Sequence, residues 1–137
     1  GQRMNIQDVG KFPVDGPSAR ATGELFKVTS QNCLHTIYGK TYPIKINLFI
    51  SNDFVHVGEM IIPSGGTGSR ASEVIESDGD TVLYVKEGPI TFFIPATQEV
   101  FHVEEGDTMF IPEHTPYQLI NYSDKVLTAV FTTAPNL

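Results

Sequence analysis

Only one cysteine, Cys33, occurs in 137 residues, so no intrachain disulfide can form. Basic residues are also few: nine Lys and Arg stand against sixteen Asp and Glu, a net charge of -7. Neutralising a nucleic-acid backbone takes a basic stripe. The few cations here are scattered, which excludes nucleic acid as a partner. The same deficit disfavours an anionic membrane surface. It leaves room for an anionic small molecule, because one arginine in a pocket suffices for that. Long apolar runs are missing too. The stretches Asn47 to Ile50 and Leu127 to Phe131 fall far short of the roughly 20 residues of a spanning helix. The first residues lack the basic start and apolar stretch of a signal peptide. Together with the lone cysteine this predicts a cytoplasmic location.

Repeats, low-complexity tracts and linkers are absent, and no window of ten residues or more has a clean helical period. What remains is an ordinary single domain. Apolar residues make up 40% of the chain and charged residues 18%, which excludes a disordered acidic tail. Short runs rich in Phe, Tyr, Val, Ile and Thr alternate with Gly, Pro, Asn and Asp. They predict strands at 24–29, 33–38, 44–50, 54–62, 72–76, 81–87, 90–94, 99–103, 108–111, 117–122 and 126–133. Turns fall at Pro63-Ser64-Gly65-Gly66, Glu87-Gly88-Pro89 and Glu104-Glu105-Gly106-Asp107. The spacing argues an all-β antiparallel sandwich or barrel over residues 23–137, preceded by an N-terminal arm at 1–22.

Two segments carry a family resemblance. Residues 68–88 read G-x5-V-x-E-x4-T-x6-G, and residues 106–121 read G-x5-P-x-H-x2-Y-x3-N. These resemble the first and second motifs of the cupin superfamily, G-x5-H-x-H-x3or4-E-x6-G and G-x5-P-x-G-x2-H-x3-N. The resemblance is to a small single-domain bacterial cupin and covers roughly residues 54–133. It implies a double-stranded β-helix, the jelly-roll barrel, with the Tyr117 face turned into the barrel. Val74, Glu76 and Thr81 stand where cupins have His, His and Glu; Tyr117 replaces the last His, and His114 replaces a turn glycine. Cupins hold Fe, Mn, Zn or Ni on three imidazoles and a carboxylate. One carboxylate with Val, Thr and Tyr predicts no consensus metal and no cofactor. A displaced divalent transition-metal site drawing on His56, Glu59, Glu73, Glu76, His114 and Tyr117 is the other reading. Opposite strand parity separates His56 from Glu59.

Three residues are candidates for chemistry. Tyr117 is placed by the resemblance at the barrel mouth, as a general acid or as an aromatic plug. Glu76 reads as a general base or as a solvent-facing side chain in a charged loop. His56, mid-strand, reads as an acid/base or as a hydrogen-bonded structural residue. For ligand binding the candidates are Arg70, Glu73, Thr81, His114 and Asn121. Arg70 suits a carboxylate or phosphate clamp but also a surface pair with Glu73. Asn121 shares the Tyr117 face, where the resemblance implies a structural role. His35 and His102 read as structural, and Cys33 as a buried inert thiol.

The leading functional expectation is a small-molecule-binding barrel acting as a metabolic enzyme. It would be an isomerase, epimerase or lyase on a sugar or small organic acid, with Glu76 or His56 as base and Tyr117 as acid. A non-catalytic ligand-binding or sensing barrel is the alternative, followed by a metal-dependent enzyme with displaced ligands and by an assembly subunit. Unpaired strand edges predict a homodimer, with residues 24–50 as the packed element.

Overall fold

A computed structural model describes residues 2–3, 10–40, 43–64, 70–72 and 74–137. In chain order the elements are β1 (Gln2–Arg3), β2 (Lys11–Phe12), α1 (Gly16–Thr22), β3 (Leu34–Tyr38), β4 (Ile44–Asn52), β5 (His56–Ile62) and β6 (Arg70–Ala71). They continue with β7 (Asp80–Glu87), β8 (Ile90–Ile94), β9 (Glu99–Val103), β10 (Thr108–Ile111), β11 (Gln118–Asn121) and β12 (Leu127–Ala134). Among the described residues these strands form two sheets. The larger runs β1-β3-β4-β5-β12-β7-β10, with β2 against β4; the smaller runs β6-β11-β8-β9. All pairings are antiparallel except β1 with β3.

Period-two patterning decides which face is inside. Along β7, Thr81, Leu83 and Val85 are buried while Val82, Tyr84 and Lys86 are exposed. Along β5, His56, Gly58, Met60 and Ile62 point inward. Register lines these residues up across the large sheet: Leu48 lies opposite Gly58, Gly58 opposite Phe131, and Phe131 opposite Leu83. From the small sheet, Phe92 and Leu119 face them, both fully buried. The result is one apolar core between two sheets.

Nine of the eleven predicted strands are present with ends shifted by two residues or fewer. Two differ. Residues 24–29 form no strand; Leu25 is fully exposed and Phe26 half-exposed, so the apolar letters of that run are not drawn into a sheet. Within the predicted strand at 72–76 the described residues form only an isolated bridge from Ile75 to Tyr117, and the two-residue β6 lies just before it. The N-terminal stretch, read as an arm, holds the seven-residue helix α1. Its cap explains it. The Asp15 carboxylate accepts from the Ser18 amide at 2.8 Å and the Ser18 hydroxyl at 3.0 Å, a proline sits in the first turn, and Gly23 closes the end in the left-handed conformation. Two turns of helix are too short for a period to register in sequence. The Arg20 guanidinium lies over the Phe54 ring at 3.3 Å and ties this helix to the barrel. No helix among the described residues is long and apolar enough to cross a membrane.

Candidate functional site at the barrel mouth

One end of the barrel holds a cavity of about 300 Å³. Its floor is made by inward side chains of adjacent strands: Ile46 and Leu48 of β4, Met60 of β5 and Phe131 of β12. The segment 75–77 forms the opposite wall, with Ile75 in the apolar part and Glu76 and Ser77 at the rim. Tyr38, at the end of β3, fixes this geometry. Its hydroxyl donates to the Val74 carbonyl at 2.5 Å and so ties the edge of the large sheet to the wall across the opening. Two wider grooves, one beside Lys45 and one beside Gly39 and Lys40, hold none of the candidates for chemistry.

Glu76 lines the cavity with a half-exposed side chain. His114 stands next to it on the rim. Its Nδ1 is 3.9 Å from the Glu76 carboxylate and 3.5 Å from that of Asp78, and its amide donates to the Ser77 carbonyl at 2.8 Å. With φ of 58°, His114 adopts the left-handed conformation of the turn glycine it replaces. These two candidates are the pair that the fold brings together.

Tyr117 lies below the mouth rather than at it. Its side chain is 1% exposed, stacks on Phe92 with ring centroids 6.4 Å apart, and its hydroxyl has no hydrogen-bond partner among the described residues. Burial pushes the phenol well above its ordinary value of 10.0, and the Tyr38 phenol adds to the effect. An enclosed hydroxyl without a partner costs about 1–3 kcal/mol. Tyr117→Phe should therefore raise the unfolding free energy by about 1 kcal/mol. A loss of stability on urea titration would mean that the hydroxyl has a partner.

His56 also stands apart from the cavity. The Pro135 carbonyl only accepts, so Nε2 donates to it at 3.1 Å, and Nδ1 is left to accept from the Ser51 hydroxyl at 2.6 Å. Both ring nitrogens are thus engaged in joining β4, β5 and the end of β12. Desolvation holds the imidazole below its ordinary 6.5, opposed by the Pro135 carbonyl and Asp53. The unfolded chain then takes up a proton first as pH falls. Stability due to neutral His56 is complete above about pH 6.5 and is lost as pH drops through the depressed folded value. Urea midpoints measured from about pH 8 to about pH 5 should fall more steeply in the wild type than in His56→Gln; equal slopes would contradict this account.

Thr81 is buried behind the cavity, its hydroxyl 2.9 Å from that of Thr133, which does reach the lining. Asn121 is fully buried. Its amide nitrogen donates to the carbonyls of Ile62, Pro63 and Lys125, and its oxygen accepts from the amide and hydroxyl of Ser123. Backbone and Ser123 thus occupy both ends of its amide, and it fastens the turn before β12 to the end of β5. The backbone of Arg70 pairs with Asn121; Glu73 lies outside the described residues. Beyond the cavity, His35 has partners that its sequence spacing hides. Its Nδ1 donates to Asn47 Oδ1 at 2.5 Å, and Asn47 donates to Glu59 at 2.9 Å, along one register row of β3, β4 and β5. Strand pairing makes this row, so no linear motif could have announced it.

The two-sheet barrel closed around these residues is the cupin fold. Solved structures agree. The chain is similar to the polyketide cyclase RemF from Streptomyces resistomycificus, at 14% identity and TM-score 0.65 over 81% of this chain and 80% of that one. It is similar to an RmlC-like cupin from Shewanella frigidimarina, at 16% identity and TM-score 0.59 over 82% and 92%. A cupin domain from Bordetella pertussis matches at 23% identity and TM-score 0.56 over 66% and 92%. No family model matches the sequence, and no curated protein does either.

The four positions at which cupins ligate a metal do not fit an ion here. Val74 has no donor atom and is 44% exposed. Thr81 is committed to Thr133, and Tyr117 is a buried phenol held in its protonated form. Glu76 alone remains, and one carboxylate does not hold a transition metal against water. His56 and Glu59, proposed as displaced ligands, sit on opposite faces of β5. Among the described residues no three His, Cys, Asp or Glu side chains gather as a ligand set.

Proposed function

We propose that the protein binds a compact, largely apolar small molecule at the barrel mouth, without a resident transition metal. The observation that carries this reading is the cavity of about 300 Å³ floored by Ile46, Leu48, Met60 and Phe131, with Glu76 at its rim. It lies at the small end of the ~300–1,000 Å³ range of ligand pockets, the size of one aromatic ring with a short side chain. Apolar walls suit such a ring better than a sugar. Binding is favoured over turnover because Tyr117, Glu76 and His56 do not converge: Glu76 alone of the three lines the cavity. The isomerase, epimerase or lyase reading keeps one observation in its favour, the Glu76–His114 pair, whose carboxylate and imidazole are 3.9 Å apart on the rim. We also propose a homodimer, supported by the exposed Val82, Tyr84 and Phe110 on the outer face of the large sheet.

A thermal-shift titration with 1-naphthol, paired with elemental analysis, tests the binding reading. At roughly a hundredfold excess over Kd, a ligand adds about 2.7 kcal/mol, or roughly 5–10 °C for a domain of this size. That shift should survive chelator treatment, in protein with clearly substoichiometric metal. One tightly held transition metal per chain, or no shift with any apolar probe, would overturn the proposal.

A further inference from the structure

We infer that the ligand taken at the mouth is a cationic amphiphile, an apolar amine whose ammonium group docks against Glu76. This rests on the binding reading above and names the chemistry of its ligand. Among the lining residues whose side chains are described, a set that leaves out Arg70, Glu76 is the one charged side chain. Lys45 and Lys40 line separate grooves outside it. At the rim, Asp78 adds a second carboxylate near that of Glu76, since both lie within 4 Å of the same His114 nitrogen. Those distances are longer than a charge-assisted hydrogen bond, so the carboxylates retain acceptor capacity for an incoming donor. The remaining lining side chains that bear oxygen are the hydroxyls of Thr36, Tyr38, Ser77 and Thr133, which carry no charge to neutralise an anion. The field of the whole chain, net -7, acts in the same direction.

The cavity therefore discriminates by charge at one end and by shape at the other. An ammonium about 5 Å or less from a half-exposed carboxylate gains, after solvent screening, roughly tenfold in affinity over a neutral group of equal size. A carboxylate in the same place loses about as much. This turns the expectation of an organic-acid ligand around, because the charged side chain at this rim is a carboxylate, Glu76, which repels a second one.

Three probes of one shape separate the cases: 2-phenylethylamine, 2-phenylethanol and 3-phenylpropionate, titrated calorimetrically at about pH 8 and low salt against wild type, Glu76→Gln and Glu76→Asp. Expected in the wild type is an amine affinity roughly tenfold above the alcohol, with the acid roughly tenfold below it. Glu76→Gln should bring the amine down to the alcohol and leave the alcohol itself within about twofold, which also reports that the variant is folded. Glu76→Asp should keep most of the amine preference. Equal affinities for amine and alcohol, an acid that binds tightest, or an amine preference that survives Glu76→Gln would each overturn the inference while leaving a working cavity. Failure of all three probes would overturn the inference together with the binding reading beneath it.

Discussion

Gly58→Ala should lower the melting temperature by roughly 10 °C, the effect of about 2–4 kcal/mol in a domain of this size. Gly58 sits mid-strand in β5, between Leu48 of β4 and Phe131 of β12. A Cβ there would lie 2.3 Å from the Asn47 carbonyl oxygen and 3.0 Å from two atoms of the Phe131 ring. The carbonyl is backbone in the β4–β5 ladder, next to the register shift between Leu48 and Ile50, so it cannot swing aside as a side chain would. Phe131 is 2% exposed and forms part of the cavity floor, so ligand affinity should fall with stability. Calorimetry checks the first effect. A melting point within about 2 °C of wild type would show that the strands separate more easily than this packing allows.

Asn121→Ala should cost about 3 kcal/mol while leaving ligand affinity unchanged. The truncation strips a donor from the carbonyls of Ile62, Pro63 and Lys125 and an acceptor from Ser123, in a residue with no exposed surface. Buried partners left unpaired lose more than the net worth of the bonds themselves. In urea the midpoint should drop with little change in slope, because the surface exposed on unfolding is nearly the same. Asn121→Asp keeps the acceptor for Ser123 but loses the donor, and it should be no milder than alanine given the carbonyls around it. Lost ligand binding in a variant that still folds would instead mean that Asn121 reaches the site.

The barrel was legible in sequence because its strands announce themselves twice. Alternation gives the inward face, as along Thr81, Leu83 and Val85, and the glycine and proline framework from Gly88 to Pro112 gives the turns. What failed to read was local and short. The helix 16–22 depends on a cap, not on a period, and the run at 24–29 has strand-like letters but no neighbouring edge. The site was legible in part. Spacing put Glu76 and His114 in the middle of two motifs, and pairing of 75 with 117 brings those middles together. Position along a motif says nothing about depth, so a Tyr117 at the mouth and a Tyr117 plugging the interior were equally open, and burial at 1% exposure selects the plug. Tyr38 and the row His35–Asn47–Glu59 arise from contacts between residues 12 to 36 apart in sequence, which no single segment encodes.

A methyl-resolved NMR titration with 2-phenylethanol tests the mouth cavity most directly, because the neutral probe does not depend on the charge at Glu76. Methyl signals of Ile46, Leu48, Met60 and Ile75 should shift together and saturate at one Kd. Those of Val57, Val82 and Val130 on the outer face should stay still. Shifts confined to the outer face, or none at all on probe saturation, would contradict it.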